Sequence, residues 1–126
     1  MTHIVDYNPE FGIIETMVQG QLTMLEAKEF ISEIAQMAVE QNCFLCLSDY
    51  RQATMEMSTL QIHDLPKVIA HIVTALGVHP SHFKRAIVVE KDFNDYHFFE
   101  TVTLNAGQSI KLFHESDHAK KWLLQE

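Results

Sequence analysis

The sequence predicts an α/β domain on a mostly parallel five-stranded sheet, with an antiparallel first hairpin and about four helices. Three observations predict this. Two β-rich runs, His3 to Tyr7 and Ile13 to Val18, open the chain around a short turn. After them, apolar runs of strand length alternate with stretches whose apolar residues recur at helical spacing. Thr23-Met-Leu-Glu26 and Ser58-Thr-Leu-Gln61 have the form of capping boxes, which announce helix starts. Alternation of strand and helix demands parallel pairing through right-handed crossovers.

Each element follows from its residues. Asn8-Pro-Glu-Phe-Gly12 has turn chemistry, so the first two runs form a hairpin. Gly20 is expected to end the second strand. Ala27, Phe30, Ile31, Ile34 and Ala38 form the stripe of a first helix from about Met24 to Gln41. Phe44 to Leu47 is a continuous apolar run ending in Ser48-Asp49, suited to a central strand buried on both faces. Tyr50 to Met57 then reads as a loop. Leu65, Val68, Ile69, Ile72, Val73 and Leu76 stripe a second helix, closed by Gly77. Pro66 should kink it near Asp64, or split it there with Asp64 as a new N-cap. Arg85 to Glu90 is a further buried strand. Asp92 can cap a third helix carrying Tyr96, Phe99, Val102 and Ala106, ended by Gly107. Ser109 to Phe113 alternates as a last strand, and a final helix from near Ser116 buries Ala119, Trp122 and Leu123.

Composition narrows the function. A chain of 126 residues is the size of one domain, and 47% apolar residues suffice for a core. The formal charge of −8 repels phosphate backbones and anionic membrane surfaces, which argues against nucleic-acid partners. Peripheral membrane contact would need a local basic patch. The apolar runs are too short to span a bilayer, and the start lacks a secretory pattern, so a cytoplasmic protein is expected.

Several motifs invite chemistry. Cys43-Phe-Leu-Cys46 has redox spacing. Redox thiols sit at a helix N-terminus, whereas this pair reads as strand, where side chains three apart face opposite ways. His114-Glu-Ser-Asp-His118 matches the zincin pattern letter for letter. That motif needs both histidines mid-helix, and here His114 belongs to the end of a strand. The other histidines, such as His63, His71, His79 and His82, stand beside no carboxylate or Cys at ligand spacing. No metal and no cofactor is expected. Nucleophile elbow and glycine-rich phosphate loop are both absent. Ligands of open parallel sheets gather at the carboxyl ends of strands, which points to Asp49, Tyr50 and Arg51. Together these three could polarise a substrate; alternatively Asp49 serves the turn and Arg51 a surface acid.

The third helix also carries Phe93, Tyr96, Phe98 and Phe99, too many aromatics for one stripe. With Met55 and Met57 before the second helix, they suggest an apolar groove between the second and third helices, for a small apolar ligand or a protein partner. The same aromatics would serve a homodimer contact.

Taken together, the opening hairpin, Gly20-Gln-Leu-Thr23, the Asp49-Tyr-Arg turn, Arg85-Ala-Ile-Val-Val and the tail Lys111-Leu-Phe-His-Glu-Ser-Asp-His-Ala-Lys-Lys-Trp-Leu123 resemble the SpoIIAA-like family, near the STAS domains of anti-sigma-factor antagonists. The resemblance implies a β-α superhelix shared with the CRAL-TRIO lipid-binding lobe. It also implies a non-enzymatic switch, whose serine opens the helix after the third strand and is phosphorylated by a partner kinase. Ser58 holds the matching place, preceded by Met57 where the family pattern has Asp. A regulatory or binding module is therefore expected, with a small enzyme using Asp49, Tyr50 and Arg51 as the alternative. Metal analysis of the purified chain should find no stoichiometric zinc; zinc that disappears on changing His114 and His118 to Ala is the contrary result.

Overall fold

The computed structural model describes residues 2–90 and 94–125. Its strands are β1 (Thr2–Asn8), β2 (Ile13–Leu22), β3 (Leu45–Met55), β4 (Lys84–Val88) and β5 (Ser109–Phe113). Its helices are α1 (Met24–Gln41), α2 (Thr59–Ala75), α3 (Asn94–Asn105) and α4 (Ser116–Leu123), with a short 3₁₀ turn at Pro80–His82. The sheet runs in sequence order, β1-β2-β3-β4-β5. β1 pairs antiparallel with β2, and every later neighbour is parallel.

Local chemistry sets the boundaries. Asn8 closes the hairpin turn, its side-chain oxygen accepting from the backbone N–H of Glu10 and Phe11. Gly12 follows at φ +67, a left-handed conformation that glycine adopts without steric cost. The Thr23 hydroxyl accepts from the Glu26 N–H and starts α1, and Asn42 ends it in the left-handed region. At α2 the capping box is complete in both directions, between Ser58 and Gln61.

Alternation along the strands divides the core in two. Ile14, Val18, Cys46, Tyr50, Ile87, Val89 and Ile110 face α1, α2 and α3. Ile13, Leu47, Ala86 and Val88 face the other way, against Ala119 and Leu123 of α4. Trp122 is half-buried, with its ring against Phe113 at 5.8 Å between centroids and the Lys84 ammonium 4.4 Å from its own.

The structure corrects several expectations. Gly20 does not end β2, and Tyr50 to Met57 is not a loop, because β2 and β3 stay paired as far as Leu22 and Met55. Between Met17/Asp49 and Gln19/Gln52 the register slips, β3 advancing by one residue more than β2. That extra residue breaks the period-two signal, so the second half of β3 did not look like strand. Of the two alternatives at Pro66, the split with a cap at Asp64 does not occur; the helix runs unbroken through it. Ala106 lies just past the end of α3 and is exposed, and Thr103 takes the buried position on the helix instead. Cys43 precedes β3 rather than lying within it. The proposed cap Asp92 lies outside the described residues.

Phe30 of α1 is 2% exposed and touches both the sheet and the aromatic residues of the core. Phe30→Ala should destabilise the fold by about 3–5 kcal/mol, read from denaturant unfolding midpoints.

Candidate functional site

β3 carries the candidate residues, and its pleat decides where they point. Asp49 and Arg51 lie on the outer face of the sheet. The Arg51 guanidinium grips Asp49 in a two-pronged pair, Nε to Oδ1 at 3.0 Å and one terminal nitrogen to Oδ2 at 2.7 Å. The Arg51 backbone N–H adds a third bond to Oδ1 at 3.0 Å. Partial burial pushes the Asp49 carboxyl upward, but the Arg51 side chain, backbone N–H and charge together outweigh it and hold the group below its ordinary value. Tyr50 points the other way. Its ring stacks on Tyr96 at 6.0 Å and meets Phe30 edge-on at 6.1 Å. Burial drives the phenol pKa well up, so it stays neutral. Carboxylate, phenol and guanidinium therefore do not converge, and they occupy a strand rather than a strand-end loop.

Around Asp49 and Arg51 the outer face is an open cleft bordered by Ile4, Asp6, Glu15, Met17 and Ser116. α4 does not cover it, so Ile4 is 60% and Met17 44% exposed.

On the inner face, α1, α2 and the sheet enclose an apolar cavity of about 50 Å³. Phe30 and Ile34 come from α1, Leu65 and Ile69 from α2, and Met55 and Met57 from the passage between β3 and α2. Tyr50 and Phe99 also line it. The aromatic and methionine candidates are thus only partly united. Met55, Met57 and Phe99 share the cavity. Tyr96 is buried against Tyr50, and Phe98 is half-buried against the core. Phe93 lies outside the described residues. The expected groove between α2 and α3 is instead a cleft at His63, Pro66, Lys67, Val102 and Asn105. Tyr96 and Phe99 fill the core beneath α3, which leaves the apolar space one helix further along.

Besides Tyr50, three side chains with polar atoms reach the cavity: Cys46, Ser48 and Arg85. Burial pushes the Cys46 thiol up to about 12, so it is inert as a nucleophile. Both cysteines are unpaired thiols, and the Cys43 sulfur donates to the Gly12 carbonyl at 3.0 Å. Arg85 was not among the residues singled out from sequence. Its parity with Ile87 and Val89 on a buried strand was the available signal. Its terminal nitrogen donates to Gln108 Oε1 at 3.0 Å, and Gln108 Nε2 donates to the Pro66 carbonyl at 2.9 Å. Among the described residues no carboxylate pairs with Arg85.

Ser58 is exposed at the start of α2 and belongs to neither region. Its hydroxyl accepts from the Gln61 N–H at 3.2 Å. The histidines are engaged locally. His114 approaches the Val89 carbonyl at 3.1 Å, between β5 and α4, while His118 sits 3.4 Å from Glu115. The pair thus shares no helical face. His79 accepts from the Ser81 N–H at 3.1 Å. Among the described residues, no three or more His, Cys, Asp and Glu side chains cluster as metal ligands do, and no helix is long and apolar enough to cross a membrane.

No protein-family model matches the chain, and no curated protein matches its sequence. Solved structures do. The chain shares the fold of an uncharacterized DUF3478-family protein with a SpoIIAA-like fold from Shewanella loihica, at TM-score 0.56 and 18% identity, over 97% of this chain and 92% of that one. The anti-sigma factor antagonist SpoIIAA in its unphosphorylated form aligns at TM-score 0.56 and 9% identity, over 97% of each chain. The Bacillus cell fate determinant SpoIIAA in its phosphorylated form aligns at 0.52 and 11%, over 96% of this chain and 99% of that one. The fold is therefore SpoIIAA-like, as the sequence resemblance implies.

The Asp49–Arg51 pair gives a pH prediction. A carboxyl held below its unfolded value stabilises the fold above that value and loses the contribution as pH falls through the folded one. Arg51→Ala should raise the Asp49 pKa and move this loss to higher pH, as followed by NMR titration of the side-chain carboxyl.

Proposed function

We propose that this chain is a non-enzymatic regulatory or binding module of the cytoplasm that works through protein contacts. One observation carries the reading: the groups that could do chemistry are separated or already committed. Asp49 is neutralised by Arg51, Tyr50 is turned into the core, and Ser58 caps a helix. What remains accessible is surface. The uncovered outer face, with Ile4 and Met17 beside the Asp49–Arg51 pair, has the apolar centre and charged border of a protein contact. A second copy of the chain is one partner such a face could take. The likeness to an anti-sigma factor antagonist solved with and without phosphate supports a regulatory role.

Ser58 is the switch candidate within this reading. A phosphoryl group there would stand over the exposed N–H groups of the α2 N-terminus, where anions are favoured. It would also add charge to an already acidic chain.

A second reading rests on a separate observation, the cavity lined by Met55, Met57, Tyr50 and Phe99. Methionines are adaptable lining, and an apolar small molecule is what such a space would take.

Ser58→Asp and Ser58→Ala, used as baits in the source cell, test the switch. Asp can still cap α2, so that variant should keep the native stability, while Ala should cost about 1 kcal/mol. A partner bound by one variant and lost by the other is expected, and Met17→Asp should weaken the same partner without lowering stability. Identical partners for both Ser58 variants would sink the switch, and indifference to Met17→Asp would sink the outer-face contact.

A further inference from the structure

The inner cavity has one property that simple apolar packing does not explain. Its wall holds the half-buried Arg85 guanidinium, and a cation partly withdrawn from water is costly unless an anion or several acceptors compensate it. Arg85 has a single side-chain acceptor, the neutral Gln108 amide, and no carboxylate among the described residues. Gln108 is itself held by the Pro66 carbonyl, so it cannot swing away to leave Arg85 a free choice of partner. Tyr50 and Cys46, the ionisable groups nearest Arg85, are both kept neutral by burial and supply no negative charge. Most of the remaining lining is hydrocarbon and thioether, among it Ile34, Met55, Met57 and Ile69.

From this juxtaposition we infer that the cavity binds an amphiphilic anion, a carboxylic acid with a hydrocarbon body, its carboxylate on Arg85 and its chain towards Met55 and Met57. The inference rests on the apolar-ligand reading and adds the headgroup to it. A guanidinium presents five N–H donors in a planar fork, and one terminal nitrogen alone is engaged by Gln108. The remaining donors match the two oxygens of a carboxylate. The Ser48 hydroxyl on the same wall is hydrogen-bonded to Tyr50, and it can donate its one O–H to a carboxylate while accepting from the neutral phenol. A phosphate ester fits less well, because its charge calls for more cations than this wall offers. The volume of about 50 Å³ is below the roughly 300 Å³ of an ordinary ligand site, so the hydrocarbon body enters by displacing the flexible methionines.

Dansyl-labelled undecanoic acid and its methyl ester, titrated against the intact protein by fluorescence, separate charge from apolarity. The acid should bind saturably and the ester about tenfold more weakly or worse, the worth of a hydrogen bond to a charged group. Arg85→Met should reduce acid binding to the level of the ester and leave the ester unchanged, while Arg85→Lys should restore part of the difference. Equal binding of acid and ester by the unaltered chain would overturn the carboxylate inference and leave the apolar-ligand reading standing; this comparison holds even if Arg85→Met fails to fold. Binding of neither would remove both.

Discussion

Burial of the first half of β3 on both faces is the constraint from which the rest of the structure follows. That half is hydrogen-bonded to β2 on one side and β4 on the other. Helices α1 and α2 cover one face and α4 the other. A strand in that position can vary only by alternation. Cys46, Ser48 and Tyr50 therefore belong to the inner core, and Leu47 and Asp49 to the outer side. A catalytic site needs its groups on one face and within reach of one substrate. Three consecutive residues in this strand cannot provide that, whatever their chemistry.

The two sides of the sheet are unequally covered. Three helices of 18, 17 and 12 residues pack on the inner face, and one helix of eight on the outer. The short α4 shields β3 and β4 but leaves the hairpin side open, which is why Ile4 and Met17 meet solvent. The Asp49–Arg51 pair borders that open area. Its charges offset one another, which suits the margin of a contact surface better than a centre of reactivity.

Much of the architecture was legible because local signals agreed with it. Thr23 and Ser58 mark their helices, Gly77 follows the end of α2, and Ser116 begins α4 where the alternation of β5 stops. The second half of β3 was not legible. The register slip after Asp49 puts Ala53 and Met55 out of step with Cys46, Ser48 and Tyr50, and polar Arg51 and Gln52 look like loop. At Pro66 the sequence offered a kink or a split, and the local preference did not choose between them; packing keeps α2 in one piece. The cavity was misplaced by one helix gap. Ile31 and Ile34 of α1 carry the same periodic signal whether they touch a neighbour or an empty space.

Arg85 shows how far sequence alone could have gone. An arginine in phase with Ile87 and Val89 announces a charge on the inner face, and that much is present in the five letters Arg-Ala-Ile-Val-Val. Its environment is a different matter. Gln108 comes from just before β5, where no local pattern distinguishes it, and Pro66 from the middle of α2, where the sequence marks a proline but not a carbonyl that accepts from Gln108. Only the folded chain brings them into one line, from α2 through Gln108 to the sheet. The consequence is physical as well as topological. The Gln108 amide uses its oxygen for the cation and its nitrogen for the helix carbonyl, so both ends are satisfied only in this orientation. Gln108 therefore ties the inner wall of the sheet to α2 at the proline, where the helix lacks one of its own N–H donors.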